Sequence, residues 1–73
     1  MNDTEFDQIA DILVNTDHGV TAEWIMRQLY HDSRDAHTDI KGVRDATTTP
    51  EGSRFVVDTW DGGSYKVTVE RIA

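Results

Sequence analysis

Apolar positions recur through the first third of the chain at helical spacing. Phe6, Ile9, Ala10 and Leu13 follow i, i+3, i+4, i+7, which predicts an amphipathic first helix over residues 4–14 capped by Asp3 or Thr4. The run Asn15-Thr16-Asp17-His18-Gly19 is rich in turn formers and ends it. Thr21 then stands before Ala22-Glu23-Trp24-Ile25 as the N-cap of a second helix reaching His31, with Ala22, Ile25, Met26 and Leu29 as its buried stripe. Trp24 falls off that stripe. From Ser33 to Thr47, a helical projection of about 100° per residue sorts the side chains onto separate faces. Ala36, Ile40, Val43 and Thr47 share one side, Arg34, His37, Lys41 and Arg44 form a second stripe, and Asp35 and Asp39 flank the apolar one. This predicts a third helix, begun at Ser33 or capped by Thr38, in which Gly42 costs about 1 kcal/mol relative to alanine.

Residues 47–53 are a breaker segment in which Pro50 closes off helical continuation. Beyond it the period switches to two. Residues 54–60 and 65–72 alternate, and Asp61-Gly62-Gly63-Ser64 joins them as a hairpin turn. Centring the turn on Gly62-Gly63 pairs Trp60 with Tyr65, Asp58 with Val67 and Val56 with Val69. Val56, Trp60, Tyr65, Val67 and Val69 then face the core, while Phe55, Val57, Thr59, Lys66, Thr68 and Glu70 face water. Asp58 shares the apolar face in this register, so it must lie at its edge or be paired, because an unpaired buried carboxylate costs several kcal/mol. The expected architecture is one small α+β domain over residues 1–73, three helices followed by a C-terminal antiparallel β-hairpin.

Charge changes the picture. The 73 residues carry 14 acids and seven Lys or Arg, a net charge of −7. Six of the acids and none of the basic side chains lie in residues 1–26, so the negative field is concentrated on the first helix and the start of the second. Asp outnumbers Glu ten to four, Arg outnumbers Lys five to two, and there are nine Thr, a bias similar to that of proteins from salt-loving archaea. A domain this small buries only about 60% of its unfolded surface, so homodimerisation is one expected supplement to its core. With no cysteine there are no disulfides or thiolate metal sites, and a cytoplasmic location is expected. No basic-apolar leader and no apolar run of about 18 residues appears, so no membrane association is expected.

The order helix, helix, helix, hairpin resembles the winged helix-turn-helix family over nearly the whole chain. Ile12-Leu13 before a turn, then Gly19-Val20-Thr21-Ala22 opening the second helix, is similar to that family's first strand leading into its second helix. The resemblance implies DNA binding, with the third helix as recognition helix and residues 60–65 as the wing tip. Arg34, His37, Lys41 and Arg44 are then the nucleic-acid-binding candidates, Arg bonding base edges and Lys neutralising phosphate. The bland alternative is a solvated helix face with local ion pairs such as Lys41 to Asp45.

A second reading starts from the acids. Asp3, Glu5, Asp7 and Asp11, with Trp24 as an apolar anchor, imitate a row of phosphates and fit a basic protein that handles nucleic acid. In size and charge the chain resembles the small acidic phage proteins that block CRISPR complexes. A solvated, capped helix accounts for the same acids, and a cap over the hairpin for Trp24. The spacing of six between His31 and His37 does not put both rings on one helix face, so with Asp32 and Asp35 they are read as surface residues, and neither metal nor cofactor is expected. No nucleophile–base pair or phosphate-cradling glycine loop is present, and an enzyme is not expected. The sequence therefore points to a non-enzymatic binding protein, first a nucleic-acid-binding regulator and second an acidic inhibitor of a basic protein.

Overall fold

The computed structural model describes residues 3–35 and 40–73, and of residues 3 and 33–35 the backbone only. Two helices, α1 (Asp3–Leu13) and α2 (Asp17–Asp35), precede three strands, β1 (Ile40–Thr49), β2 (Gly52–Thr59) and β3 (Ser64–Val69). The strands form an antiparallel meander in the order β1-β2-β3. Both helices lie on one face of it, α1 against β1 and α2 across all three strands. The chain is thus α+β as expected, but with two helices and three strands rather than three helices and a hairpin.

The predicted first helix is present. Phe6, Ala10 and Leu13 are buried and Ile9 packs beside them. The second helix starts five residues earlier than expected, at Asp17 rather than Ala22. Its cap is Thr16, whose Oγ1 accepts the Gly19 N–H at 3.0 Å, while Thr21 turns back on the helix and donates to the Asp17 carbonyl. Gly19 is buried, and a Cβ there would lie 1.8 Å from the Leu13 carbonyl oxygen. The lack of a side chain at residue 19 is what lets α2 begin directly against the end of α1. The helices then run antiparallel, with Phe6 stacked on Tyr30 at 4.6 Å and Asp7 reaching Arg27 at 3.9 Å.

Over residues 40–47 the expected third helix is replaced by β1, residues 33–35 close α2, and the expected cap Thr38, with Ala36 and Asp39, lies outside the described residues. The apparent helical spacing of β1 has a specific cause in the strand. The β1–β2 register shifts between Ile40 and Gly42 and again between Arg44 and Thr47, where Asp45 takes φ 57°. A bulge inserts extra residues into a ladder of period two, so buried Val43 and Ala46 end up three apart, as on a helix. Val43 and the run Thr47-Thr48-Thr49 also favour a pleated backbone over a helical one. Pro50 is a hairpin corner: Thr49 pairs with Gly52, leaving only Pro50 and Glu51 in the turn.

The β2–β3 hairpin forms, but in a different register. Val57 pairs with Tyr65, Phe55 with Val67 and Ser53 with Val69. The Gly62 N–H donates to the Thr59 carbonyl, the Thr59 N–H donates to the Gly63 carbonyl, and Gly62 has φ 89°. This is a three-residue loop, Trp60-Asp61-Gly62, closed by a glycine bulge, where a two-residue loop was expected. The extra residue inverts β2. Phe55 and Val57 are buried and Trp60 is 68% exposed, the opposite of the expected faces, and Asp58 and Val56 move to the outer face of the sheet. The expected sides of Val67 and Val69, which pack against the core, and of exposed Lys66, Thr68 and Glu70 hold, but Tyr65, expected in the core, is 60% exposed at the end of β3 beyond the helix cover.

The core is Phe6, Ala10, Leu13, Ala22, Met26, Tyr30, Val43, Ala46, Phe55 and Val57. Ser53 is buried with them and satisfied by the Thr48 hydroxyl at 3.0 Å. His18 ties the start of α2 to the end of β1, its Nε2–H donating to the Thr49 carbonyl at 2.9 Å. Because a carbonyl only accepts, this contact places a proton on Nε2.

Substitutions at two places, the helix corner and β2, test this packing. Gly19→Ala should destabilise the protein by about 1–3 kcal/mol despite the better helix propensity of alanine, because the new Cβ meets fixed backbone. Phe55→Ala should cost about 3–5 kcal/mol and Val56→Ala under about 1 kcal/mol. Urea midpoints read both; equal losses at 55 and 56 would reject the register.

Candidate interaction surfaces

The basic stripe expected on a third helix is dispersed. Arg34 lies in the last turn of α2 with its side chain outside the described residues, and His37 lies outside them altogether. Lys41 and Arg44 sit on β1 and are exposed. The Lys41 ammonium lies 5.5 Å from the Trp60 ring centroid, a cation–π contact worth about 0.5–1 kcal/mol when exposed. Arg44 donates to Asp58 at 2.7 Å and to Asp45 at 2.6 Å, so two carboxylates already neutralise it. It pairs with Asp45, which had been considered a partner for Lys41.

Asp58 is the hub of this face. It accepts from the Arg44 guanidinium and from the Ser64 hydroxyl, both at 2.7 Å, and these bonds, Arg44 first, hold its carboxyl below the ordinary aspartate range. The same pair, led by the Asp58 hydrogen bond, raises the Arg44 pKa. Asp61 is also held low, first by the Thr59 hydroxyl and then by the Gly63 N–H, which closes the loop that carries Trp60.

The helices cover one face of the sheet; the other is open among the described residues. Arg54 and Lys66 stand on it, neither in an ion pair among the described residues. Sequence periodicity had placed Lys66 correctly on the wet side; Arg54 had not been singled out, and the parity of β2 that locates it depends on the loop length. Glu51 and Glu70 share a shallow depression with these two bases, so the face is mixed in sign rather than a basic stripe.

The acidic candidates lie on the opposite layer. Glu5, Asp7 and Asp11 are exposed along α1, and Asp3 is its first residue. Arg27 is the one basic side chain described among them, bonded to Glu23 at 2.9 Å and over the Phe6 ring at 5.2 Å. Trp24 is 63% exposed on α2, one turn after the exposed Val20. It does not cap the hairpin. At the end of α1, Ile12 and the following Val14 are also half exposed.

Among the described residues no three His, Cys, Asp or Glu side chains converge as a metal site, and no helix is long and apolar enough to cross a membrane. No family model, curated protein or solved structure matches this chain.

The depressed carboxylate gives a pH prediction. A group whose folded pKa is lowered stabilises the fold above its unfolded value, near 3.8 for Asp58, and that contribution fades as pH falls through the folded value. Asp58→Asn should therefore be less stable than wild type at neutral pH, and the difference should shrink below pH 3.8. Urea midpoints across an acid series measure it; a pH-independent difference would remove the Arg44–Asp58 pair as its cause.

Proposed function

We propose that this is a non-enzymatic binding protein whose helix layer docks on a basic surface of another protein. The observation that supports the reading is Trp24, exposed beside Val20 on the outer side of α2 and within the layer that carries the acids. An indole left 63% exposed costs solvation, whereas an indole that enters a partner's pocket is the kind of residue that dominates binding energy. The carboxylates carried by the same helix layer, on α1, select a basic partner and steer its approach. Proteins that handle nucleic acid carry such surfaces, because they neutralise phosphates with Lys and Arg. The acids on α1 would then compete for the nucleic acid's place.

A nucleic-acid-binding reading retains one observation of its own, the unpaired Arg54 and Lys66 on the open sheet face, since β-sheets also enter DNA grooves. It no longer has a helix to carry it: Lys41 is engaged with Trp60 and Arg44 with two carboxylates.

Kinetics separate the two. With a partner captured by the wild type, Trp24→Ala should raise the dissociation rate by about 30-fold or more, while Asp7→Asn with Asp11→Asn should mainly slow association and flatten its salt dependence. Surface plasmon resonance on folded variants reads both rates. Retention of duplex DNA at low salt that is lost with Arg54→Ala and Lys66→Ala, and is indifferent to Trp24, would overturn the proposal in favour of the sheet face.

A further inference from the structure

The two edges of the sheet differ. β1 is broken by two register shifts and by Asp45 at positive φ, devices that deter edge-to-edge pairing. β3 has none of them: its six residues pair with β2 in unbroken succession, from Ser64 with Asp58 to Val69 with Ser53. Its outward N–H and C=O groups have no backbone partner among the described residues. The helix-side residues of β3 are also incompletely covered. Tyr65 is 60% exposed, and Val67 and Val69 are only half buried.

We propose that β3 pairs antiparallel with β3 of a second copy of this chain, forming a continuous six-stranded sheet with all four helices on one side. The charges on the strand choose both the partner and the register. For helix-side residues to meet helix-side residues across a two-fold axis, each odd-numbered position must face an odd one and each even position an even one. Among such registers, centring on Lys66 sets like charges together, and centring on Val67 leaves Lys66 opposite Thr68 and Glu70 opposite Ser64. Centring on Thr68, with each strand continued one residue past Val69, is the register that puts Lys66 of each copy opposite Glu70 of the other. Neither residue has an ion pair within the chain among the described residues, and the two-fold makes both contacts at once. The same register sets Val67 against Val69 on the helix side, extending the core across the seam. This surface is separate from the outer side of α2, so it does not rest on the docking function proposed above.

Sedimentation equilibrium of the full chain tests the dimer. The mass should rise from one chain to two with concentration; a single-chain mass up to about 1 mM would overturn the proposal. Lys66→Glu and Glu70→Lys should each weaken dimerisation by about tenfold or more, and the double exchange should restore it. Association indifferent to both single changes would overturn it as well. A cysteine-free chain allows a direct check of the register. Thr68→Cys, on the axis, should cross-link to its own copy under mild oxidation faster than Glu70→Cys, which faces Lys66. Equal rates would reject the register, and circular dichroism confirms that each variant keeps its helices.

Discussion

No side chain fits at residue 19, and the rest of the fold follows from that. The Leu13 carbonyl occupies the space a Cβ would need, so α2 starts within a few residues of the end of α1 and must reverse direction. Thr16 caps the new helix at the same corner, and His18, on the next residue but one, reaches across to the Thr49 carbonyl. One tight corner thereby fixes the angle of the helix pair and its position over the β1–β2 hairpin. Arg71, bonded to Asp17 at 3.3 Å, brings the end of the chain to the same place, though with both groups exposed this pair contributes little.

The layers divide the charge. Residues 3–35 hold eight acids and two Arg, a net of −6, whereas residues 40–73 hold five acids and five bases and are neutral. A two-layer domain with this division has a strong negative potential on the helix side and little net potential on the sheet side. Solvent-exposed charges of one sign repel one another and are screened within about 8–10 Å at ordinary ionic strength. The helix layer therefore gains from salt or from a basic partner, and the sheet layer can approach a neutral or self-complementary surface without a comparable penalty. That asymmetry is why the helix side and the β3 edge are assigned different partners.

The first two helices were legible in the sequence because their buried residues repeat without interruption: Phe6, Ala10 and Leu13 on one, Ala22 and Met26 on the other. Their junction was less so. Gly19 reads as a turn residue by composition, and only the close approach of the Leu13 carbonyl explains a glycine in the third position of a helix. The strands were misread at two places where one or two extra residues alter a period. In β1, the register shift between Ile40 and Gly42 and the one near Asp45 each stretch a spacing of two toward three, so Ile40, Val43 and Ala46 fall at intervals that look helical. In the hairpin, one more residue in the loop reverses which side of β2 faces inward, exchanging Phe55 for Val56. Of the candidate site residues, Glu5, Asp7, Asp11 and Trp24 stand on exposed surface, because the sequence places each of them within a helix that forms. Lys41 and Arg44 stay neighbours beside Asp58, but on a strand rather than on a helical stripe with Arg34.

The irregularities of β1 do two things at once, and the pairing is physically coherent. Bulges bend a strand and increase its twist, which lets Val43 and Ala46 both reach the core beneath two helices that lie close to that edge. The bending also spoils the straight row of hydrogen-bonding groups that another strand needs. β3 lies under α2 alone, has less helix to follow, and stays straight. The edge with the least cover is therefore also the edge with the most regular backbone, and Tyr65 stands there with more than half of its surface in water. In a chain of 73 residues, whose core is limited by size, leaving that strip open forgoes apolar burial that a small domain can least spare. Pairing two copies covers it without adding a residue, and it does so on the side of the molecule where the acidic helix layer interferes least.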